Sequence, residues 1–420
     1  MSAASIDENG ALKTPLLTAV ILGMFALTFP LGYAWDLGFS GLAALAGVLC
    51  VPALRKARPP VRVMLPLVAL VAWAVISLSW SRAAVDLHSL RRYADMEKLT
   101  GVKLVLQLGL YGVLAAAAQR ISPRGARLAL TALAVALAAL GVAVLLDALQ
   151  GAAAYAWITA RVAHPITPDI ALRNIAQGDY VIVLFFWCVA VRLAEMRWQV
   201  LNIVMIGCVA GSSLYLHAVD ATLAAFVLSL GAFLLVRATR LLGVVVLGVA
   251  TTVYWMTAPL VILAGVHGGL IKALRPHVQL SWDERLDIWS FAAAKVVERP
   301  WTGWGLDASR TFGSAISLHT HDAALQVWLE LGAVGAVIAA AFWIGVWSLI
   351  EGLARRDRAA AAAAAGAAVA YLTIGGLSFG VWQEWWLGLG AMAAVACICL
   401  ARSRYDPRIA WTDELVPLGG

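Results

Sequence analysis

Charge is what this sequence has least of. Of its 420 residues, 13% are Asp, Glu, Lys or Arg and 62% are hydrophobic, whereas soluble domains carry about a quarter charged residues. That balance excludes an ordinary soluble enzyme. Cysteine is scarce as well. The five present (Cys50, Cys188, Cys208, Cys397 and Cys399) all fall inside apolar runs, so they form no disulfide framework and no metal-ligand spacing in an aqueous loop. Cys397-Ile398-Cys399 reads as small packing residues of a helix. A charged start followed by a short apolar stretch and a cleavage site is missing, so the first apolar run is expected to be a retained span. The net charge of +7 is explained by its positions along the chain, with no call for a nucleic-acid partner.

What is there instead is a succession of apolar runs of the length needed to cross ~30 Å of hydrocarbon. Twelve are expected, at about 15–35, 37–54, 63–80, 101–119, 127–148, 179–193, 198–217, 219–236, 241–263, 323–350, 359–378 and 381–401. The fold class is an all-α polytopic membrane protein, one integral domain over 1–420. It has a long loop over 264–322, before span ten, and a tail over 402–420. Lys and Arg fix the orientation, because short basic loops stay in the cytoplasm. Arg55, Lys56, Arg58 and Arg62, then Arg120, Arg124 and Arg127, all fall on one side. So do Arg192, Arg197, Arg237, Arg240, Arg355, Arg356 and Arg358, and Arg402, Arg404 and Arg408 of the tail. The short turns near 36, 218 and 379 have none. Both termini are therefore expected in the cytoplasm, and segments 81–100, 149–178 and 264–322 on the outer face, the periplasm of a bacterium.

Those outer segments hold arginines where the inside-positive bias would remove them. Segment 81–100 reads as a short interfacial amphipathic helix with Val85, Leu90 and Tyr93 on its apolar side. Its Arg91 and Arg92 either reach an anionic group or form a solvated face with Asp86, Asp95 and Glu97. In 149–178, Thr167-Pro168-Asp169 is a helix start. Arg173, four residues after Asp169, either pairs with it or binds a ligand. Asp220, near the outer end of a span, is either a functional group at the membrane boundary or, the favoured reading, a hydrated interface residue.

The long loop contains a readable helix. Ser281 to Glu284 spells a capping box, Pro300 stops the helix near Glu298, and Leu286, Trp289, Ala293 and Val296 share one face. Arg285 is the anomaly. A cation in the first turn opposes the helix dipole, and no carboxylate stands three or four residues away. Its aromatic neighbours, Trp282 and Trp289, can hold the guanidinium by cation–π contact, leaving it to bind an anion. His319-Thr320-His321-Asp322 closes the loop. Two histidines and an aspartate are metal-ligand types, but the loop has no third well-placed ligand and no Cys. A buried structural histidine is the plain alternative for either ring. Asp322 is placed to cap the next helix, which leaves His321 beside a positive helix end. There imidazolium is disfavoured, and a neutral base can take a proton from a hydroxyl while a phosphate leaves.

These residues resemble the O-antigen ligase and O-antigen polymerase family of bacterial lipid-linked glycan transferases. The likeness rests on R-L-D-I-W-S-F-A-A-A-K-V-V-E-R-P-W-T-G-W-G (Arg285–Gly305), on His321-Asp322 followed after nine residues by Gly332-Ala333-Val334-Gly335, and on Arg173. Asp322 departs from the usual residue after the histidine, and H-A-V-D-A-T supplies no third arginine. The resemblance implies a C-type glycosyltransferase fold in the bacterial inner membrane, surrounded by membrane lipids, using neither cofactor, metal nor nucleotide sugar. The implied donor is a glycan on undecaprenyl pyrophosphate. The implied acceptor is the lipid A core oligosaccharide for a ligase, the favoured type, or another lipid-linked repeat for a polymerase. By resemblance, Arg173 and Arg285 hold the pyrophosphate and His321 is the general base, with His319, Asp322, Trp289, Arg91 and Arg92 in supporting places. A twelve-span transporter is the competing class. It predicts two similar halves and polar residues at mid-membrane, and the sequence has neither.

Overall fold

The computed structural model describes residues 14–34, 37–56, 60–83, 99–216 and 220–404, and among these there is no β-strand. The chain runs through α1 (Thr14–Ala26), α2 (Thr28–Ala34), α3 (Gly38–Cys50), α4 (Val61–Ser77), α5 (Thr100–Ala118) and α6 (Pro123–Leu149). The short helices α7 (Ala153–Val162) and α8 (Pro168–Ile175) follow, then α9 (Gln177–Glu195), α10 (Gln199–Ser213), α11 (Asp220–Thr239) and α12 (Leu241–His267). It ends with α13 (Leu270–Leu274), α14 (Leu280–Glu298), α15 (Ala323–Arg356), α16 (Arg358–Leu377) and α17 (Glu384–Ser403). Helix is the form that satisfies every backbone N–H and C=O within the segment, which is what a chain in lipid requires.

Among the described residues, nine helices are long and apolar enough to cross a membrane, with α1 and α2 together counting as one. Three shorter apolar helices, Gly38–Leu54, Val61–Ser77 and Gln199–Ser213, stand at the other three expected spans. All twelve expected runs therefore coincide with apolar helices. The protein is a multi-pass, all-α membrane protein.

Helix α9 is the centre of the bundle. It is buried without a break from Gly178 to Val189. Helix α16 packs against it at Gly366, in a stretch, Ala360–Gly366, that is buried on every side. A Cβ on Gly366 would meet the Trp187 ring at 2.6 Å. Small residues let two apolar helices approach closely where no hydrophobic gain separates them from lipid. The five cysteines are free thiols, and Cys188 and Cys397 merely touch, at 3.5 Å.

The basic connections gather at one end. Arg404 pairs with Glu195 and Asp357, Arg402 donates to the Ile121 carbonyl, and Arg127 donates to that of Ser403. The segment 264–322 sits at the other end, and it is tied into the bundle by a break in α15. Nine residues into that helix Gly332 adopts φ +65°, ψ −164°. The carbonyls freed by the break are taken up by other segments of the chain. Leu329 and Glu330 accept from the amides of Trp304 and Gly305, at 2.9 and 2.7 Å. Leu331 accepts from the Trp73 indole at 3.0 Å. In exchange, the amides of Ala333 and Val334 donate to Pro300 and Trp301. The turn Pro300–Gly305 is thus spliced into the helix.

Only glycine fits that splice. A Cβ at Gly332 would run into the Trp301 carbonyl, in a backbone region that side chains rarely adopt. Gly332→Ala is expected to cost at least ~2 kcal/mol from strain and collision. A lower thermal unfolding midpoint of the detergent-solubilised protein is the expected result; an unchanged midpoint would contradict the splice.

Candidate functional site

His321 stands in the turn before α15, at φ +56°, a left-handed conformation that is uncommon for a residue with a side chain. Several contacts hold the turn in place. Asp322 caps α15, accepting from the Leu325 amide at 3.0 Å and from the Tyr254 hydroxyl at 2.8 Å. Thr320 Oγ1 donates to the Asp322 carbonyl at 2.7 Å. The Trp289 indole donates to the Thr320 carbonyl at 2.8 Å. His319 Nδ1 accepts the His321 amide at 3.1 Å, and its Nε2 meets Gln383 at 3.2 Å.

The His321 ring is oriented by one contact. Its Nδ1 lies 2.9 Å from the Ser378 carbonyl oxygen. A carbonyl can only accept, so Nδ1 carries the proton, and in the neutral ring Nε2 keeps its lone pair. Ser378 is itself fixed, its hydroxyl 3.2 Å from that of Tyr180 on α9. Burial pushes the His321 pKa below the ordinary histidine range. The Ser378 bond and Glu284 oppose that shift, and Arg285 adds to it. His319 is pushed further, to about 3, by burial first and then by His321, Arg310 and Arg285. Burial raises the Asp322 carboxyl to about 6, against the helix-end amides and the Tyr254 hydroxyl. His321 is half-buried and His319 and Asp322 are buried, which separates a reachable ring from its supports.

Arg285 projects from the first turns of α14, its guanidinium 4.7 Å from the centre of the Trp282 ring. The cation–π expectation therefore holds for Trp282. The other indole, Trp289, is turned to the histidine loop instead. The expected capping box is not formed. The helix begins at Leu280 with Gln279 as its N-cap, and no side chain caps it. The helix starts two residues before the place that a Ser281 cap requires, and Asp283 and Asp287 pair with Arg275 along its side.

Helix α8 does begin at Pro168 after Thr167, but the Thr167 side chain makes no cap. Arg173 is exposed in its last turn, and among the described residues it forms no pair with Asp169. Arg173 comes from the segment leading into α9, and the charge of Arg285 lowers the pKa of both histidines. Arg91 and Arg92 lie outside the described residues, and so does the Asp220 side chain. Among the described residues no three His, Cys, Asp or Glu side chains are grouped to hold a metal.

The sequence reading missed Glu330. It is fully buried on α15, a place where a lone charge would be costly. Its two oxygens accept from the Asp307 amide at 2.9 Å, the Trp382 indole at 2.7 Å, the Gln326 amide at 3.0 Å and the Ser309 amide at 3.4 Å. One carboxylate thus clamps the loop, α15 and the turn before α17 together. The signal available was an acidic residue in the middle of an apolar run, two residues before Gly332. Ser378, the orienter of His321, had no signal at all.

Residues 208–340 match the family described as O-antigen ligase. A protein of Rickettsia conorii provisionally named a polysaccharide ligase is 30% identical over 131 residues, which cover 28% of this chain and 31% of that protein. Its counterpart in Rickettsia felis is 28% identical over 132 residues, 28% of this chain and 32% of the other. The matched stretch spans about a third of the length of these relatives. The family match takes in Arg285, the His319–Asp322 turn and the Gly332 splice, and leaves Arg173 outside it.

Glu330→Gln is expected to place an amide NH2 against donors that need an acceptor, a loss of about 1–3 kcal/mol. Thermal unfolding with and without the substitution measures it, and an unshifted midpoint would remove Glu330 from the clamp. Residues 208–340 are similar to the family described as O-antigen ligase, the family that the motifs of this chain resemble.

Proposed function

We propose that this protein transfers a glycan from a polyprenyl pyrophosphate carrier to a sugar hydroxyl, at the periplasmic face of the inner membrane of a bacterium. The carrier expected is undecaprenyl pyrophosphate and the acceptor the lipid A core, which makes the protein an O-antigen ligase. The observation that carries this reading is the His321–Ser378 bond. It fixes the tautomer, so a neutral imidazole presents Nε2 as a base beside the cation Arg285.

In the reaction, Nε2 takes the proton of the acceptor hydroxyl as its oxygen attacks the anomeric carbon. The new C–O bond forms on the face opposite the departing group, and the anomeric bond to the pyrophosphate breaks, with inversion. The electron pair leaves on the pyrophosphate oxygen, where guanidinium groups of Arg285 and Arg173 offset the developing charge. The imidazolium then returns its proton to solvent or to the released phosphate. Arginine suits the anion better than lysine, because its planar fork bonds two oxygens at once. His319, Asp322 and Trp289 hold the turn on which His321 sits.

His321→Ala is expected to abolish transfer, by at least ~100-fold given the usual contribution of a general base, while leaving the protein inserted and folded. Arg285→Lys is expected to lose most of its activity. Full transfer by either variant with purified lipid-linked donor would overturn the assignment. The pH profile gives a separate check. Because the His321 pKa is lowered, its neutral form persists below the ordinary value of ~6.5, so the acid limb of kcat/KM should lie under that pH and not above it. In cells, deletion of the gene should remove the whole ladder of glycan lengths from lipopolysaccharide. Survival of one capped repeat would mark a polymerase instead.

A further inference from the structure

Three cations gather on one indole of the long loop and play no part in the mechanism above. The Arg299 guanidinium lies 4.2 Å from the centre of the Trp304 ring, that of Arg82 at 5.4 Å and the Lys295 ammonium at 5.6 Å. Each contact taken singly attracts its cation. Taken together, the three stand no further apart than about a Debye length, ~8–10 Å, so salt screens their mutual repulsion only in part. Among the described residues one carboxylate answers them, Glu298, which pairs with Lys295 at 2.7 Å. Arg82 and Arg299 are exposed and form no ion pair among the described residues.

The placement of each member is fixed. Trp304 is buried, its amide donating to the Leu329 carbonyl at 2.9 Å and its indole to that of Lys295 at 3.0 Å. Arg82 is brought in by the end of α4. There Ser77 Oγ accepts the Leu306 amide and Ser81 Oγ donates to the Leu306 carbonyl, both at 2.8 Å. The C-terminus of α14 accounts for Lys295 and Arg299, since such an end favours cations. It does not account for Arg82, which a separate segment carries to the same ring.

The height of the cluster in the bundle points to its partner. The Trp301 carbonyl accepts from the Val334 amide, and Val297, Trp301, Val334 and Val337 are all exposed. Ile76, near the end of α4, is exposed as well. On a membrane protein such apolar surface faces acyl chains, and an exposed indole suits the interface. The cations stand just past it, at the level of lipid phosphates. Arg285 precedes Lys295 by ten residues on α14, ~15 Å along the helix axis, so this cluster is separate from the histidine turn.

We infer that Arg82, Lys295 and Arg299, gathered on Trp304, bind the phosphate of an anionic phospholipid headgroup in the leaflet at this end of the bundle. The guanidinium groups donate to phosphate oxygens, while Trp301 and Val297 sit among the acyl chains. The inference stands apart from the transferase reading, and the failure of either leaves the other in place.

The test is lipid binding by the purified full-length protein in detergent, read by native mass spectrometry. Short-chain phosphatidylglycerol is compared with phosphatidylcholine of the same chain length, and the former is expected to bind more tightly. Arg82→Gln with Arg299→Gln should weaken its binding about twenty-five-fold, fivefold for each charge removed near an anionic surface. Arg82→Lys with Arg299→Lys should stay within about threefold, because the charge is kept and only the planar fork is lost. Glu298→Gln removes the competing carboxylate and should tighten binding. Lysine and glutamine variants that behave alike would mark a structural role and overturn the inference. Equal binding of the two lipids would overturn it too. Displacement of phosphatidylglycerol by the lipid-linked donor would give the cluster to the substrate and likewise sink it.

Discussion

Backbone amides and carbonyls released inside an apolar bundle must find partners within the protein, and the break in α15 creates several at once. The turn Pro300–Gly305 answers that demand, pairing with Leu329, Glu330, Ala333 and Val334. Glu330 then satisfies a further set of donors from the loop and from Trp382. For the buried groups, a bond left unmade costs more than the same bond contributes net in water. The loop is therefore held as firmly as a helix would be. A rigid loop is what lets one histidine keep a single orientation.

From that clamp the site follows outward. Trp382 and Gln383 are positioned by Glu330 and His319, and the turn they belong to supplies the Ser378 carbonyl to His321. Tyr180 on the buried α9 fixes Ser378 from beneath. Three separate parts of the chain, 180, 319–330 and 378–384, thus meet in one network. The left-handed backbone at His321 is a strained conformation sustained by Asp322, Thr320 and Trp289 around it, the arrangement expected where geometry serves a site.

Electrostatics divides the site as sharply as packing does. Burial and the nearby arginine keep the imidazole neutral, so the ring can accept a proton at neutral pH. The guanidinium of the same arginine lies over the Trp282 ring.

The sequence alone determined the class of protein and most of its elements. Twelve apolar runs need helices because lipid offers the backbone nothing else, and their places agreed with the helices within a few residues. His321 and Arg285 were legible because charge is rare in this chain and both sit at helix starts. The Asp322 cap was readable too, being a local relation within four residues. What tertiary structure decided were the long-range partners. Ser378 orients a ring fifty-seven residues away, Arg275 pairs with Asp283 and Asp287 where a capping box was expected, and Asp169 and Arg173 stay apart despite helical spacing. Which of two tryptophans faces Arg285 was also settled only in three dimensions. Local spacing fixes which residues can share a helix face, but a hydrogen bond across the bundle depends on how the helices pack, and no short motif records that.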